Sequence, residues 1–174
     1  CKGARLTNLP FAGGVGLPDD PYTICTADQL NQISDDATYV RQNYSLRANV
    51  DMSYFDGSTG AKTFNVIGSN VLPFVGQFRG NRKKISNLYI NSTNSYVGLF
   101  GQVGESFYVN LSVSLKELTP PEISELVLVD PVVVSTGDYV GALAGAVRGG
   151  MLRACHVQST TNGAAQVSGG NYVG

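Results

Sequence analysis

One histidine, three cysteines and thirteen carboxylates bound the chemistry this chain can carry. A metal centre built on imidazoles needs more than His156, and a Ser or Cys nucleophile has only that imidazole to activate it. His156 directly follows Cys155, and neighbours on a strand point to opposite faces, so the two are not expected to work as a catalytic pair. The expected arrangement is an exposed imidazole beside a buried, inert thiol. Aspartates fall, among other places, at Asp19-Asp20, Asp35-Asp36, Asp51, Asp56, Asp130 and Asp138. Glycan hydrolysis needs two carboxyls at a fixed separation, and polymer lyases use acidic calcium ligands beside an Arg or Lys. No spacing here demands either arrangement. Asp19-Asp20 before Pro21, and Asp56-Gly57, are ordinary turn sequences. No catalytic residue, metal site or cofactor is therefore expected.

The concentrated charge lies elsewhere, in Arg79, Arg82, Lys83 and Lys84. On a turn between strands such a cluster can grip phosphate, a sulfated glycan or an acidic polymer, and Tyr89 follows close by. These five residues are the expected partner-binding set; a plain solvated turn is the rival reading. Without interleaved stacking aromatics they make a poor nucleic-acid site, and no nucleic-acid partner is expected. Tyr89, Ser112 and His156 are expected to share one outward column. Among the cysteines, Cys155 reads as the free inward thiol, which leaves Cys1 and Cys25. Either these two form a disulfide that staples the N-terminal arm across the next strand, or Cys1 is the lipid-bearing first residue of a lipoprotein. Sequons at Asn43, Asn91 and Asn110 matter only in a glycosylating host.

The elements that must position these residues are short strands. The 174 residues suit one domain, and charged residues are only 14% of them. Lys plus Arg number 12 against 13 Asp plus Glu, so a net charge of -1 supplies no global field toward nucleic acid or an anionic membrane. Twenty-one glycines, nine tyrosines and no tryptophan fit strands joined by tight turns. No apolar run is long enough to insert in a membrane, and a cysteine at position 1 where Met is expected suggests a processed, exported protein.

Along the chain, residues 1–21 are rich in Gly and Pro and read as an extended arm. YTICT (22–26) is a strand. Thr26 with Gln29 three residues on forms a capping box, predicting a short helix over about 27–34 and a strand-and-helix cap over 22–36. From residue 45 onward apolar alternations recur between Gly, Asn and Ser turns, with no second helix. The pair Tyr-Val begins at 96, 139 and 172, intervals of 43 and 33 residues, as in a stacked repeat. The longer interval is expected to hold a loop thrown out over about 116–130, regaining a strand at LVLV (126–129), because Pro120-Pro121 cannot lie inside a central strand. NLYIN (87–91), NLSVS (110–114) and ACHVQ (154–158) can be superposed, which puts Leu88, Leu111 and Cys155 in one inward column and Ile90, Val113 and Val157 in the next. Parallel layers about 4.8 Å apart would bury these as ladders. YVGALAG is one residue longer than YVGLFG, and a bend near Gly98 and Gly141 must absorb the difference.

At these residues the chain resembles the GLUG-motif repeats of bacterial surface and secreted proteins. The likeness is carried by Tyr96-Val97-Gly98-Leu99-Phe100-Gly101, by Tyr139-Val140-Gly141-Ala142-Leu143-Ala144-Gly145 and by Ser168-Gly169-Gly170-Asn171-Tyr172-Val173-Gly174. Asp20 to Leu30 resembles the strand and helix that precede such repeats, and Pro73 to Leu88 their first full coil. The resemblance covers residues 12–174 and implies a right-handed parallel β-solenoid in adhesin-like proteins, with no catalytic residues to carry over. Two features depart from the pattern: the basic turn Gly80 to Lys84, where the family has a small glycine turn, and the long 116–130 stretch. The expected function is a noncatalytic adhesive or spacer module at the bacterial cell surface or outside the cell, binding a cell-surface protein or glycan. A carbohydrate-active β-helix enzyme is the alternative. Because the last motif begins a layer, the chain is expected to belong to a longer repeat protein or to be covered by another copy.

Overall fold

The computed structural model describes residues 1, 10–34, 36–58, 60–105, 120–161 and 164–174. The chain winds through them as a parallel β-solenoid. The cap comes first, with β1 (Tyr22–Ile24), helix α1 (Ala27–Asn31) and 3₁₀ turns at Gln32–Ser34 and Tyr39–Arg41. Coil one contributes β2 (Tyr44–Leu46) and β3 (Val50–Asp51). Coil two contributes β4 (Gln77–Arg79), β5 (Lys84–Ser86), β6 (Tyr89–Ser92) and β7 (Phe100–Gly104). Coil three repeats the pattern with β8 (Glu122–Ser124), β9 (Val127–Val129), β10 (Val132–Ser135) and β11 (Ala144–Arg148). Coil four holds β12 (Met151–Arg153), β13 (His156–Gln158) and β14 (Gln166–Ser168). Equivalent strands pair in parallel, so the first face runs β1-β2-β4-β8-β12, the second β3-β5-β9-β13, the third β6-β10-β14 and the fourth β7-β11.

Alternation sends one residue of each short strand inward, and stacking turns these into ladders. Tyr44, Phe78, Ile123 and Leu152 form the ladder of the first face, and Val50, Ile85, Leu128 and Val157 that of the second. The first three members of each ladder are buried, whereas Leu152 and Val157 of coil four are 41% and 49% exposed. The N-terminal end is closed by aromatic packing of Phe11 against Tyr22, Tyr39 and Tyr44. The arm is held there by a two-way backbone pairing, Ala12 N to Thr23 O at 3.0 Å and Thr23 N to Gly13 O at 2.8 Å. A Cys1–Cys25 disulfide ties residue 1 to the cap. One sulfur atom cannot both bridge Cys25 and carry a lipid, so the structure describes the bridged form. At α1, Thr26 Oγ1 accepts from Gln29 N, and Gln29 Oε1 accepts in return from Cys25 N, one residue ahead of the usual capping-box position. The helix itself ends at Asn31, and its expected last turn is the 3₁₀ turn Gln32–Ser34.

The corners carry unusual backbone geometry. Arg82, Glu125 and Ala154 share a left-handed conformation where the first face turns into the second, and Asn87 and Asp130 share it at the next corner. Tyr96, Tyr139 and Tyr172 share it at the third, with φ of 61°, 58° and 57°. A left-handed residue costs about 1–2 kcal/mol. Hydrogen bonds between coils hold these corners, among them Arg82 N to Glu125 O, Asn87 N to Val129 O and Tyr96 N to Asp138 O. The three tyrosine rings stack face to face, 4.6 and 4.7 Å apart and within 11° of parallel.

Two expectations are corrected. Residues 116–119 lie outside the described residues, but the rest of the expected 116–130 loop is part of the stack: Pro120-Pro121 immediately precedes β8 rather than interrupting it, and β9 is the strand expected at LVLV. The expected columns joined different faces. β13 stacks on β9 and β5, so Val157 stands over Leu128 and Ile85, whereas Ile90 of β6 stands under Val133 and Val167. Leu111, Ser112 and Val113 lie outside the described residues. Apolar alternation looks the same on every face of a coil, so it cannot tell which face a strand belongs to. The extra residue of YVGALAG is absorbed where Ala142 and Leu143 together face Leu99: Leu99 N bonds to Ala142 O, and pairing resumes with Ala144 beside Phe100. Gly98 must lack a side chain there, because a Cβ would lie 2.5 Å from Gly141 O.

Candidate functional site

The basic residues sit on a strand, a corner and a second strand, and the coil separates them. Arg79 and Gln77 project outward from β4 because Phe78 between them fills the core. The Arg79 guanidinium donates to Gln77 Oε1 and to the Pro18 carbonyl of the arm, both at 3.1 Å. Asn81 at the corner donates to Ser45 Oγ and to Leu46 O, clamping coil two onto coil one. Arg82 reaches Glu125 of the next coil, Nε to Oε2 at 3.8 Å. One strand further, Arg153 Nε lies 2.9 Å from Glu122 Oε1. Gln77, Arg79, Asn81, Glu122, Glu125 and Arg153 line a groove of about 250 Å³ across the first face, together with the buried Ser124.

The groove is charge-balanced: Glu122 and Glu125 of coil three face the guanidiniums of Arg153 and Arg82. The pairs are exposed enough that each contributes under about 1 kcal/mol. Lys83 stays on the corner. Lys84 lies on the second face, in the outward column with Val127 and His156. Tyr89 lies on the third face, beside Val132 and Gln166, and does not share a column with His156. The five expected partner-binding residues are thus spread over three faces and the corner between the first two, and of the five only Arg79 lines the groove. Glu122, Glu125 and Arg153 were not singled out from sequence. Their signal was present, but only in the spacing that stacks β8 and β12 on β4.

His156 is exposed, and the neighbouring Cys155 is half-buried with its thiol directed at the Ile123 and Arg153 carbonyls. Cys155 is the free cysteine. Among the described residues, no three His, Cys, Asp or Glu side chains converge as metal ligands. The aspartates serve the turns. Hydrogen bonds from Asn87 to Asp51, from Ser58 to Asp56 and from Thr160 to Asp130 hold those carboxyls below the usual carboxylate range. Burial pushes the Tyr44 phenol up, with its hydroxyl donating to Tyr39 O. Asn43 of the first sequon is committed to structure, bonding Gly16 O and Gln77 N through its side chain. A second and larger cleft, about 740 Å³, opens beside Tyr89 on the third face. Among the described residues, no helix is long and apolar enough to cross a membrane.

No family model matches this chain, and no solved structure matches it. It is similar to a protein of Evansella cellulosilytica that carries the description Gly-rich membrane protein, 37% identical over 109 residues, which is 60% of this chain and 12% of that protein. It is also similar to Halomucin of Haloquadratum walsbyi, 33% identical over 140 residues, 77% of this chain and 1% of that protein. The chain spans a small fraction of the length of the relatives it matches.

Proposed function

We propose that the chain is a noncatalytic adhesive or spacer module of an exported bacterial surface protein of the GLUG-repeat kind, which binds a cell-surface or glycan partner through its loops. The observation that carries this reading is the continuous parallel stack, in which apolar side chains fill most of the interior and the charged side chains project outward on an elongating coil. Such coils add length one layer at a time and present flat, repeated faces. A Cys1–Cys25 disulfide persists only in an oxidising compartment, which supports export. Similarity to two much longer proteins, one of them described as a membrane protein, supports a module within a large surface chain.

A carbohydrate-active enzyme is the second reading, and one observation favours it: two carboxylates, Glu122 and Glu125, beside Arg79 and Arg153 in the first-face groove. Against it, Glu122 and Glu125 each face a guanidinium rather than an open position between them. Binding of the purified protein to a glycan array and to bacterial and host cells tests the adhesive reading, with release of reducing or unsaturated sugar ends measured in parallel. Retained binding with no released ends is the expected result. Turnover that is lost in Glu122→Gln or Glu125→Gln would establish the enzyme instead, and failure to bind any glycan or cell would leave only a scaffold.

A further inference from the structure

Among the described residues, the third face has no strand in coil one. After β3 the chain leaves the coil through a 3₁₀ turn, Ser53–Phe55, and an antiparallel excursion bridged between Asp56 and Thr63. It rejoins at Ile67, which pairs with Phe100 on the fourth face. Among the described residues β6 is therefore the first strand of its sheet, and one of its edges has no strand partner there. On the paired edge, Leu88 O and Ser92 O accept from Val132 N and Thr136 N. Because hydrogen bonding alternates along a parallel strand, the peptide groups of Tyr89 and Asn91 lie on the other edge, toward the excursion.

Between that edge and the excursion lies the cleft of about 740 Å³. Its floor includes Phe55 and Phe64, both nearly buried, and Tyr89 is 37% exposed at its wall. Asn91 lines the same wall, two residues along the strand and so on the same face as Tyr89, about 6.6 Å away. Asn94 is fixed through its main chain, N to Ser92 Oγ at 3.0 Å and O from Ser135 Oγ at 2.6 Å. Among the described residues, neither the Asn91 nor the Asn94 side-chain amide makes a hydrogen bond. Asp56 completes the rim, its Oδ1 oriented by Ser58 N at 2.9 Å. Among the described residues, no Lys or Arg lines the cleft; Lys62 sits over the Phe55 ring and is paired with Asp28.

We propose that this cleft binds a neutral hexose-containing glycan, with Tyr89 stacking on the pyranose and Asn91, Asn94 and Asp56 holding its hydroxyls. The proposal rests on the glycan-binding reading above and gives that reading a site. A sugar has an apolar C–H face that suits an aromatic ring, and hydroxyls that each donate and accept. Planar amides offer both a donor and an acceptor, and an ionised carboxylate accepts from two hydroxyls at once. A single carboxylate with no cation in the lining disfavours sulfated, phosphorylated or uronic glycans. The volume falls in the range of small-ligand sites, roughly 300–1,000 Å³. An added peptide strand is the competing occupant of an open edge, but β6 offers only the peptide groups of two residues, too few to hold one.

The test is an array of neutral and anionic oligosaccharides, including maltotriose, cellotriose, mannotriose, chitotriose and heparin fragments. It is probed with the wild type, Tyr89→Ala, Tyr89→Phe, Asn91→Ala and the triple variant Arg82→Ala, Lys83→Ala, Lys84→Ala, each checked for an unchanged melting curve. The expected result is binding to a neutral subset that falls at least tenfold in Tyr89→Ala and Asn91→Ala and stays within about threefold in Tyr89→Phe. Neutral-glycan binding that survives Tyr89→Ala but is lost in the triple basic variant overturns the cleft while keeping the glycan-binding function. Binding confined to anionic glycans overturns the cleft in the same way. No glycan binding by the wild type overturns the function reading, and the site with it. A peptide bound competitively along β6 with no sugar bound would identify the other occupant and overturn the proposal.

Discussion

Removing the Phe78 ring tests whether the interior ladders hold the coils together. Phe78 is fully buried, directly between Tyr44 and Ile123 in the first-face ladder, with the Phe100 ring 5.5 Å away. Phe78→Ala deletes a buried aromatic side chain and leaves a cavity, a change that costs about 3–5 kcal/mol. Against a total stability of roughly 5–15 kcal/mol, that is a large fraction. It corresponds to a melting-temperature drop of about 6–20 °C for a chain of this size. Leu152 occupies the same ladder in coil four but is 41% exposed, so Leu152→Ala should cost about 1 kcal/mol. Urea unfolding followed by circular dichroism, with both midpoints and slopes compared, measures the two directly. If Phe78→Ala costs less than about 1 kcal/mol, or no more than Leu152→Ala, the stacked interior is wrong.

Gly76→Ala should be far worse than Gly60→Ala: a Cβ at 76 would lie 1.8 Å from Gln42 O, whereas one at 60 meets nothing within 4 Å and carries only left-handed strain. Expected costs are about 3 kcal/mol and about 1 kcal/mol, read from thermal unfolding. Reducing the Cys1–Cys25 bridge, which joins residues 24 apart, should remove about 3–4 kcal/mol. An unchanged melting temperature in reductant would show that Phe11 packing and the backbone pairing with Thr23 hold the arm without the bridge. Asp36, Asp51, Asp56 and Asp130 have folded pKa values depressed by hydrogen bonds, so the stability they give is present above the unfolded carboxylate value near 3.9 and lost as pH falls through the lower folded values. Stability should be level from neutral pH to about 5 and decline below about 4; a decline beginning above pH 6 would contradict this assignment.

The repeat was readable because Tyr-Val at 96, 139 and 172 recurs in one structural role: each Tyr is left-handed at the same corner and each Val bridges the next coil, Val97 to Val140 to Val173. The cap was readable because Thr26 and Gln29 act through local hydrogen bonds. What sequence did not reveal was which face each strand joins. Ile90, Leu128 and Val157 are equally good ladder residues, and only the corner geometry, left-handed at Asn87 and at Asp130, shows that NLYIN stacks on DPVVV and not on ACHVQ. For the same reason the basic residues looked like one patch. Arg79, Lys84 and Tyr89 are close in sequence, but each corner sends the next strand to a new face, and Glu122 and Glu125 reach Arg153 and Arg82 only through the stack. The tyrosine stack and the open β6 edge depend on long-range pairing, which no local pattern of residues encodes.

Through-hydrogen-bond scalar couplings in isotope-labelled protein test the parallel coil most directly. The structure predicts couplings from Val132 N to the Leu88 carbonyl, from Gly80 N to the Ser124 carbonyl and from Asn87 N to the Val129 carbonyl, with no close Hα–Hα contacts between neighbouring strands. Strong cross-strand Hα–Hα contacts between β4 and β8, or couplings that join β13 to β6 in place of β9, would contradict it.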